Sequence, residues 1–257
     1  MAEALIKGAT DSNLISPTSI TASDIDDDRL NYLNKTYRIK TTRDNDEAVA
    51  SSNTILLAVK PQQIDKVVSS LNKDDFNSKI FISIAAGVTT DKLSRLFAGE
   101  TKLARVMPNS PALVGKGLSA IYFSSDFSKE EKESVTAIFS SVGETIEIDE
   151  SLMDQVTAIS GSGPAYFFYF VRSLIAAATE IGLDSDISTK LVLSTMEGSS
   201  RMLDVEDKGP TELIEMVASK GGTTEAALDL FEQEDISDII TRGVIAALKR
   251  AAELNLS

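Results

Sequence analysis

Near the end of the chain, the stretch SKGGTTEAALDLFE sets Ser219, Gly221, Gly222, Thr223 and Thr224 directly ahead of a strongly helical run. The two glycines permit the positive φ angles of a tight connection, and Thr223 or Thr224 is placed to cap the helix that follows. The first backbone N–H groups of such a helix point into one small space with hydroxyls at its rim. A carboxylate fits there, because the donors are orphaned and the dipole end is positive. The same pattern also serves an ordinary Gly-Gly turn with a threonine cap.

A second group of residues gathers where apolar runs end. ILLAVKPQ closes at Val59, and Lys60 and Pro61 then turn the chain into a helix, with Pro61 suited to the first helical position. The carboxyl end of a parallel strand is where open α/β sheets bind ligands. Lys60 either sets a cation there for a phosphate or ribose, or stands as a solvated lysine at a helix entrance. SIAAGV repeats the arrangement. Ala85, Ala86 and Gly87 let a flat ligand approach the backbone, or simply make a tight turn. In ASDIDDDRL, Asp24 is the acid best placed to accept from a ribose 2′-OH and to repel a 2′-phosphate. Asp26, Asp27 and Asp28 read as an acidic first helical turn.

The hydrophobic pattern supplies the elements that must carry these residues. Thr18–Ser23, Thr54–Val59, Ile80–Ala85 and Lys102–Met107 are β-rich, with a last strand near Thr145–Ile148. Helical stretches such as Asp28–Lys35 and Gln62–Leu71 lie between them. That alternation predicts an α/β fold of βαβ units on a mainly parallel sheet, over residues 1–149. From Ser151 onward only helical periodicity remains: Pro164–Ile181, Ser188–Val205, Thr211–Ala218, Thr224–Glu234 and Ile236–Leu254. Residues 150–257 therefore read as an all-helical domain. GSGPAYFFYF opens its long helix with Ser162 as a candidate N-cap, and its aromatics are too many for one face. A subunit interface is a natural place to bury them.

Composition narrows the function. The 257 residues carry 25 basic and 39 acidic side chains, a net charge of -14 that opposes binding to nucleic acid or an anionic membrane. The longest apolar run, AYFFYFV, is too short to span a bilayer. With neither cysteine nor histidine, disulfides, thiolate metal sites and the usual general base are all excluded, and no metal site is expected. These features describe a soluble protein of the reducing cytoplasm.

AVKPQ, AAGV, RVMPNSP, SGSGPAY and SKGGTTEAALDLFE together occur in the order and spacing of the pyrroline-5-carboxylate reductase family, which the chain resembles from Met1 to about Leu254. The resemblance is closest over Pro210–Glu232. It implies a Rossmann-like domain followed by a helical dimerisation domain. The implied activity is reduction of 1-pyrroline-5-carboxylate to L-proline by NADPH or NADH. By the same resemblance Ala58, Val59, Lys60 and Pro61, with Ile84, Ala85 and Ala86, line the dinucleotide. Asn45 lies near its adenosine phosphate end, and Asn109 lies along the nicotinamide side. Ser219, Gly221, Gly222, Thr223 and Thr224 hold the substrate carboxylate, and Asp207 stands near the ring nitrogen. A cyclic imine is readily protonated, so Thr224 has only to orient that nitrogen, and a missing histidine does no harm.

Two departures from the family stand out. The family opens with a strand and a G-x-G-x-x-A turn. Here MAEALIKG is already helical, and Ala2 matches the last position of that motif, so the chain is expected to lack the strand and the glycine loop. Asp24 stands where NADPH-using members often have a small or basic residue. Two other functions stay open: an inactive dimerisation module of the same fold, and a related two-domain dehydrogenase acting on a hydroxy acid.

Overall fold

A computed structural model describes residues 1–76, 78–97, 101–124 and 127–255. The chain divides into two compact units, Met1–Ser162 with Ala247–Ser257, and Gly163–Ala246.

The first unit is α/β. Its strands are β1 (Thr21–Ser23), β2 (Lys40–Thr42), β3 (Thr54–Leu57), β4 (Ile80–Ser83), β5 (Lys102–Pro108), β6 (Gly117–Phe123) and β7 (Gly143–Glu147). They form a two-stranded sheet, β1-β2, and a five-stranded sheet in the order β3-β4-β5-β6-β7. Every ladder is parallel except β5–β6. Two of these strands have no counterpart in the pattern reading. β2 is three polar residues on an edge, and β6 starts at a glycine and carries Ser119 inside its apolar run. Pro17 fixes φ at the start of a 3₁₀ turn, Pro17–Ser19, so the expected strand Thr18–Ser23 begins only at Thr21.

Helices pack against both sheets. In chain order they are α1 (Ala2–Asp11), α2 (Asp27–Tyr37), α3 (Asn45–Ala50), α4 (Ile64–Ser70), α5 (Thr90–Phe97) and α6 (Lys129–Ser140). The side chains of β4 alternate between two cores. Phe81 joins Leu57, Val68, Leu93 and Phe97 on one face, while Ile80 and Ile82 join Leu5, Val106, Ile121 and Phe139 on the other. Short polar side chains start the helices. Asp26 caps α2 by accepting from the N–H groups of Asp28 and Arg29, and Asp44 does the same for α3. Ser128 and Glu131 form a capping box on α6.

Two polar clusters lock this unit. Glu3 on α1 accepts from Arg29 Nη2 at 2.6 Å, Tyr37 Oη at 2.8 Å and Tyr32 Oη at 2.9 Å, which ties α1 to α2. Arg105 on β5 is buried and reaches Glu150 at 3.2 Å, and Glu150 in turn accepts from the N–H and hydroxyl of Thr90 at the start of α5. A buried guanidinium needs such partners, because leaving it alone in the interior is costly.

The second unit is helical. After α7 (Met153–Val156) and a single π turn at Thr157–Gly161, both in the first unit, come α8 (Gly163–Glu180), α9 (Ser185–Val205), α10 (Pro210–Val217) and α11 (Thr223–Gln233). The last helix, α12 (Ile236–Asn255), runs from the second unit back into the first. α8 leaves Phe167 at 64% and Phe168 at 65% exposure in the single chain, beside exposed Tyr169 and Phe170. Among the described residues no helix is long and apolar enough to cross a membrane.

The Glu3 cluster has a pH signature. Its hydrogen bond from Arg29 first, then that from Tyr37, lowers the Glu3 pKa from 4.5 to about 2. Burial, then the bond to Glu3, raises that of Tyr37 well above its ordinary 10. The Glu3 contribution to stability is therefore complete above pH 4.5 and is lost as pH falls toward 2. The Tyr37 contribution is complete below pH 10 and is lost only in stronger base. Urea denaturation at pH 5 and pH 3 is expected to show a smaller acid-induced loss of stability in Glu3→Gln than in the parent chain.

Candidate active site

Ligand-facing residues of the α/β unit stand where its strands end. Asp24 follows β1 and is exposed. Its N–H donates to the Thr42 carbonyl at 3.3 Å, and its carboxylate accepts from the Asp26 N–H at 3.1 Å. Beside it, Ser23 Oγ donates to Asn45 Oδ1 at 2.7 Å, so Asn45, at the first position of α3, is fixed against β1. Asp24, Asn45, Ala58 and Val59 line one cavity of about 720 Å³. The next two positions, Lys60 and Pro61, turn away from this cavity into a 3₁₀ turn. Lys60 is its exposed N-cap, and Pro61 stands at the first position, where its missing N–H is harmless.

The end of β4 is built from small residues. Ile84 and Ala86 are half-buried and Ala85 is buried. The Ile84 N–H donates to the Leu57 carbonyl at 3.3 Å, which keeps this turn in line with β3. Gly87 has a φ of +74°, and a Cβ there would come within 2.8 Å of the Leu254 Cβ. Only glycine meets both conditions. Asn109 follows β5, and its amide is engaged on both sides. Nδ2 donates to Ser160 Oγ at 3.1 Å, and Oδ1 accepts from the Leu118 N–H at 2.9 Å. These strand ends suit a dinucleotide: small side chains allow close approach of a flat ring, an exposed carboxylate can accept from a ribose, and a lysine stands near for a phosphate.

The helical unit carries the second group. Gly221 has a φ of +72°. Gly222 does not share it: its φ is -86°, in ordinary extended backbone, and Gly222 itself is the N-cap of α11. No side-chain hydrogen bond caps this helix, so Thr223 and Thr224 are its first two helical residues and neither is the cap. The cause is the bond from the Gly222 N–H to the Ser219 carbonyl at 2.9 Å, which closes the turn one residue earlier than the threonines suggest. A Cβ on Gly222 would stand 2.6 Å from Ser219 Oγ and 2.8 Å from its carbonyl oxygen, so space, and not φ, demands glycine.

Glu225 was not singled out from the sequence. It accepts from the Gly221 N–H at 2.6 Å and so bridges the turn from the third helical position. Its signal was there to be read, since an acid at that position commonly reaches back across a helix start. The N–H groups of Thr223 and Thr224 lie in the first helical turn, where no helical carbonyl can reach them. Thr224 is half-buried and Ser219 is exposed. Asp207 lies between α9 and α10 and is exposed.

A mainly parallel sheet with small residues at its strand ends, joined to an all-helical unit, defines a dinucleotide-dependent oxidoreductase class. The family described as NADP oxidoreductase, coenzyme F420-dependent, matches residues 1–87. Pyrroline-5-carboxylate reductase dimerisation matches residues 150–254. Among curated relatives, the pyrroline-5-carboxylate reductase of Synechocystis is 36% identical over 99% of this chain and 94% of its own length. Two solved structures agree. The pyrroline-5-carboxylate reductase of Coxiella burnetii superposes with a TM-score of 0.90 at 30% identity, over 98% of this chain and 94% of that one. The Plasmodium falciparum pyrroline carboxylate reductase, with NADP bound, gives 0.89 at 32% identity over the same shares. The chain belongs to the pyrroline-5-carboxylate reductase family.

Proposed function

We propose that the chain reduces 1-pyrroline-5-carboxylate to L-proline in the last step of proline biosynthesis, in the cytoplasm. The observation that carries this reading is full-length similarity to reductases of that name, together with a turn before α11 whose N–H donors face no helical acceptor. NADPH or NADH, when bound, supplies the hydride. Ala58–Pro61 and Ile84–Ala86 hold the dinucleotide, with Asn45 and Asp24 at its adenosine end and Asn109 along its nicotinamide side.

In the helical unit, the N–H groups of Thr223 and Thr224 and the Ser219 hydroxyl hold the substrate carboxylate, while Gly221 and Gly222 shape the turn. The Thr224 hydroxyl orients the ring nitrogen, and Asp207 lies on the same side of the ring. The imine nitrogen takes its proton readily from solvent, so no side chain has to titrate near neutrality, in keeping with a chain that contains no histidine.

Asp24 sets the cofactor preference toward NADH. The nearest cation on α2, Arg29, donates to Glu3 and shares its charge between that carboxylate and Asp24, so it offsets Asp24 only in part. Steady-state kinetics are expected to show kcat/KM for NADPH no greater than for NADH. In Asp24→Ser the ratio should move at least tenfold toward NADPH, about 1.4 kcal/mol. A parent enzyme that favours NADPH tenfold would overturn the role given to Asp24.

The turn before α11 makes a separate test. 1-Pyrroline, which lacks the carboxylate, should be reduced with kcat/KM lower by tenfold or more, about the value of one charge-assisted hydrogen bond. Gly222→Val should abolish that discrimination and destabilise the unit by about 1–3 kcal/mol through overpacking on Ser219. Thr224→Ala should stay within about 0.5 kcal/mol of the parent in stability, because it removes no cap, yet turn over more slowly. Equal reduction of both substrates would remove the turn from the site.

The exposed aromatic run of α8 is assigned to a homodimer or higher homo-oligomer, since five consecutive exposed aromatics, Tyr166 to Phe170, are an unusual surface for a monomer. Light scattering at micromolar concentration should give at least twice the chain mass, and Phe168→Asp should lower it.

A further inference from the structure

We propose that Arg105 is a positioning residue for the proposed reduction. By anchoring the segment Glu150–Gly161, it holds Asn109, at the end of β5, and the turn after β4 in one arrangement. The inference rests on the reading of Ile84–Ala86 and Asn109 as cofactor positions.

The segment runs along one face of β5. Arg105 and Met107 stand two positions apart on that strand, so their side chains leave it on the same side. At Arg105, Nη1 meets Glu150 at 3.2 Å and Nη2 faces Asp154 at 3.8 Å. At Met107, Gly161 packs so closely that a Cβ there would come within 2.6 Å of the Met107 Cε. Just beyond the strand, Ser160 Oγ accepts from Asn109 Nδ2. The segment is itself well pinned. Met153 and Ala158 are each 1% exposed, the Thr157 hydroxyl donates to the Met153 carbonyl at 2.8 Å, and the Ser162 N–H closes the π turn on the Thr157 carbonyl at 2.9 Å. Single π turns are rare and gather at functional sites, and this one carries Ser160. A displacement at Glu150 or Asp154 is therefore passed along the segment to Asn109.

The same anchor serves the neighbouring strand. Glu150 Oε1 accepts from the Thr90 N–H at 2.7 Å and Oε2 from the Thr90 hydroxyl at 2.6 Å, at the start of α5, which follows the Ile84–Gly87 turn. One buried guanidinium thus ties two strand ends together through a third element. Lysine cannot take this place. The arginine fork directs two nitrogens at two carboxylates on successive turns of the segment, whereas an ammonium is a single point. At Asn109 the amide orientation follows from its partners. The Leu118 N–H requires an acceptor, so Oδ1 faces it and Nδ2 is left for Ser160. Loss of the Ser160 bond removes one of the two contacts that fix the amide plane. Hydride transfer falls steeply when a positioning group shifts by about 1 Å. A loosened Asn109 therefore slows the chemical step more than it weakens binding, to which Asp24, Asn45 and Ala58–Pro61 contribute as before.

Amide hydrogen exchange in the full chain, with no cofactor added, tests the linkage. The Leu118 N–H is bonded to the Asn109 side chain, whereas its neighbour Gly117 donates to the Val142 carbonyl at 2.9 Å. Arg105→Lys and Glu150→Gln should each speed exchange at Leu118 about tenfold and leave Gly117 unchanged. Ser160→Ala should do the same while leaving Arg105 and its partners in place. Unchanged exchange at Leu118 in Arg105→Lys and Glu150→Gln, or equal acceleration at Gly117, reduces Arg105 to a local ion pair and overturns the proposal. Steady-state kinetics give the second readout. In all three variants kcat should fall about tenfold, KM for the dinucleotide should stay within about twofold, and the primary isotope effect from cofactor deuterated at C4 should rise. A loss confined to Tm, or to KM, overturns the proposal equally. A parent chain that does not reduce 1-pyrroline-5-carboxylate overturns the proposed function instead, and exchange at Leu118 then decides the role of Arg105 by itself.

Discussion

A parallel strand is secure only when both its edges are bonded and both its faces are covered, and β4 meets every part of that condition. Its ladder to β3 and β5 and its alternation between two cores hold the strand ends in one row. From that row project Ala58–Pro61 and Ile84–Ala86. The backbone behind Ile84–Ala86 cannot move without breaking a ladder on each side, and that behind Ala58–Pro61 cannot move without breaking the β3–β4 ladder.

The same condition explains where the α/β unit relies on other interactions. β1 and β2 form a small sheet of their own, so main-chain bonds do not tie them to β4. Side chains carry that load. Ser23 reaches Asn45, Asp24 and Asp26 organise the start of α2, and Glu3 gathers Arg29, Tyr32 and Tyr37 between α1 and α2. Polar bonds at a part-exposed surface are individually weak, and several on one carboxylate are needed to do what a ladder does elsewhere.

The helical unit follows a different logic. Its helices carry more apolar surface than one short bundle can cover, which is why exposed Phe167, Phe168 and Tyr169 accompany a regular set of helices, α9 among them capped by Asp184. The turn before α11 is its polar exception. There the chain closes on Ser219, and the first N–H groups of the helix are left without helical acceptors.

Much of this was readable in the residues. The switch from alternating strands and helices to helices alone, the strands through ILLAV and IFIS, the helices after Ser151 and the family itself all follow from local pattern, because buried strands and long amphipathic helices write their period into the sequence. β2 and β6 were missed since short or polar-interrupted strands owe their existence to the neighbour they pair with. The tertiary structure alone decided several further points: that Gly222 is required by the space under Ser219 and not by its φ, that a glycine caps α11 in place of a threonine, and that Glu225 bridges the turn. It also decided that β1 and β3 stand apart across one cavity. Each of these depends on a distance between groups whose separation the local pattern does not encode, and such distances exist only once the backbone has closed.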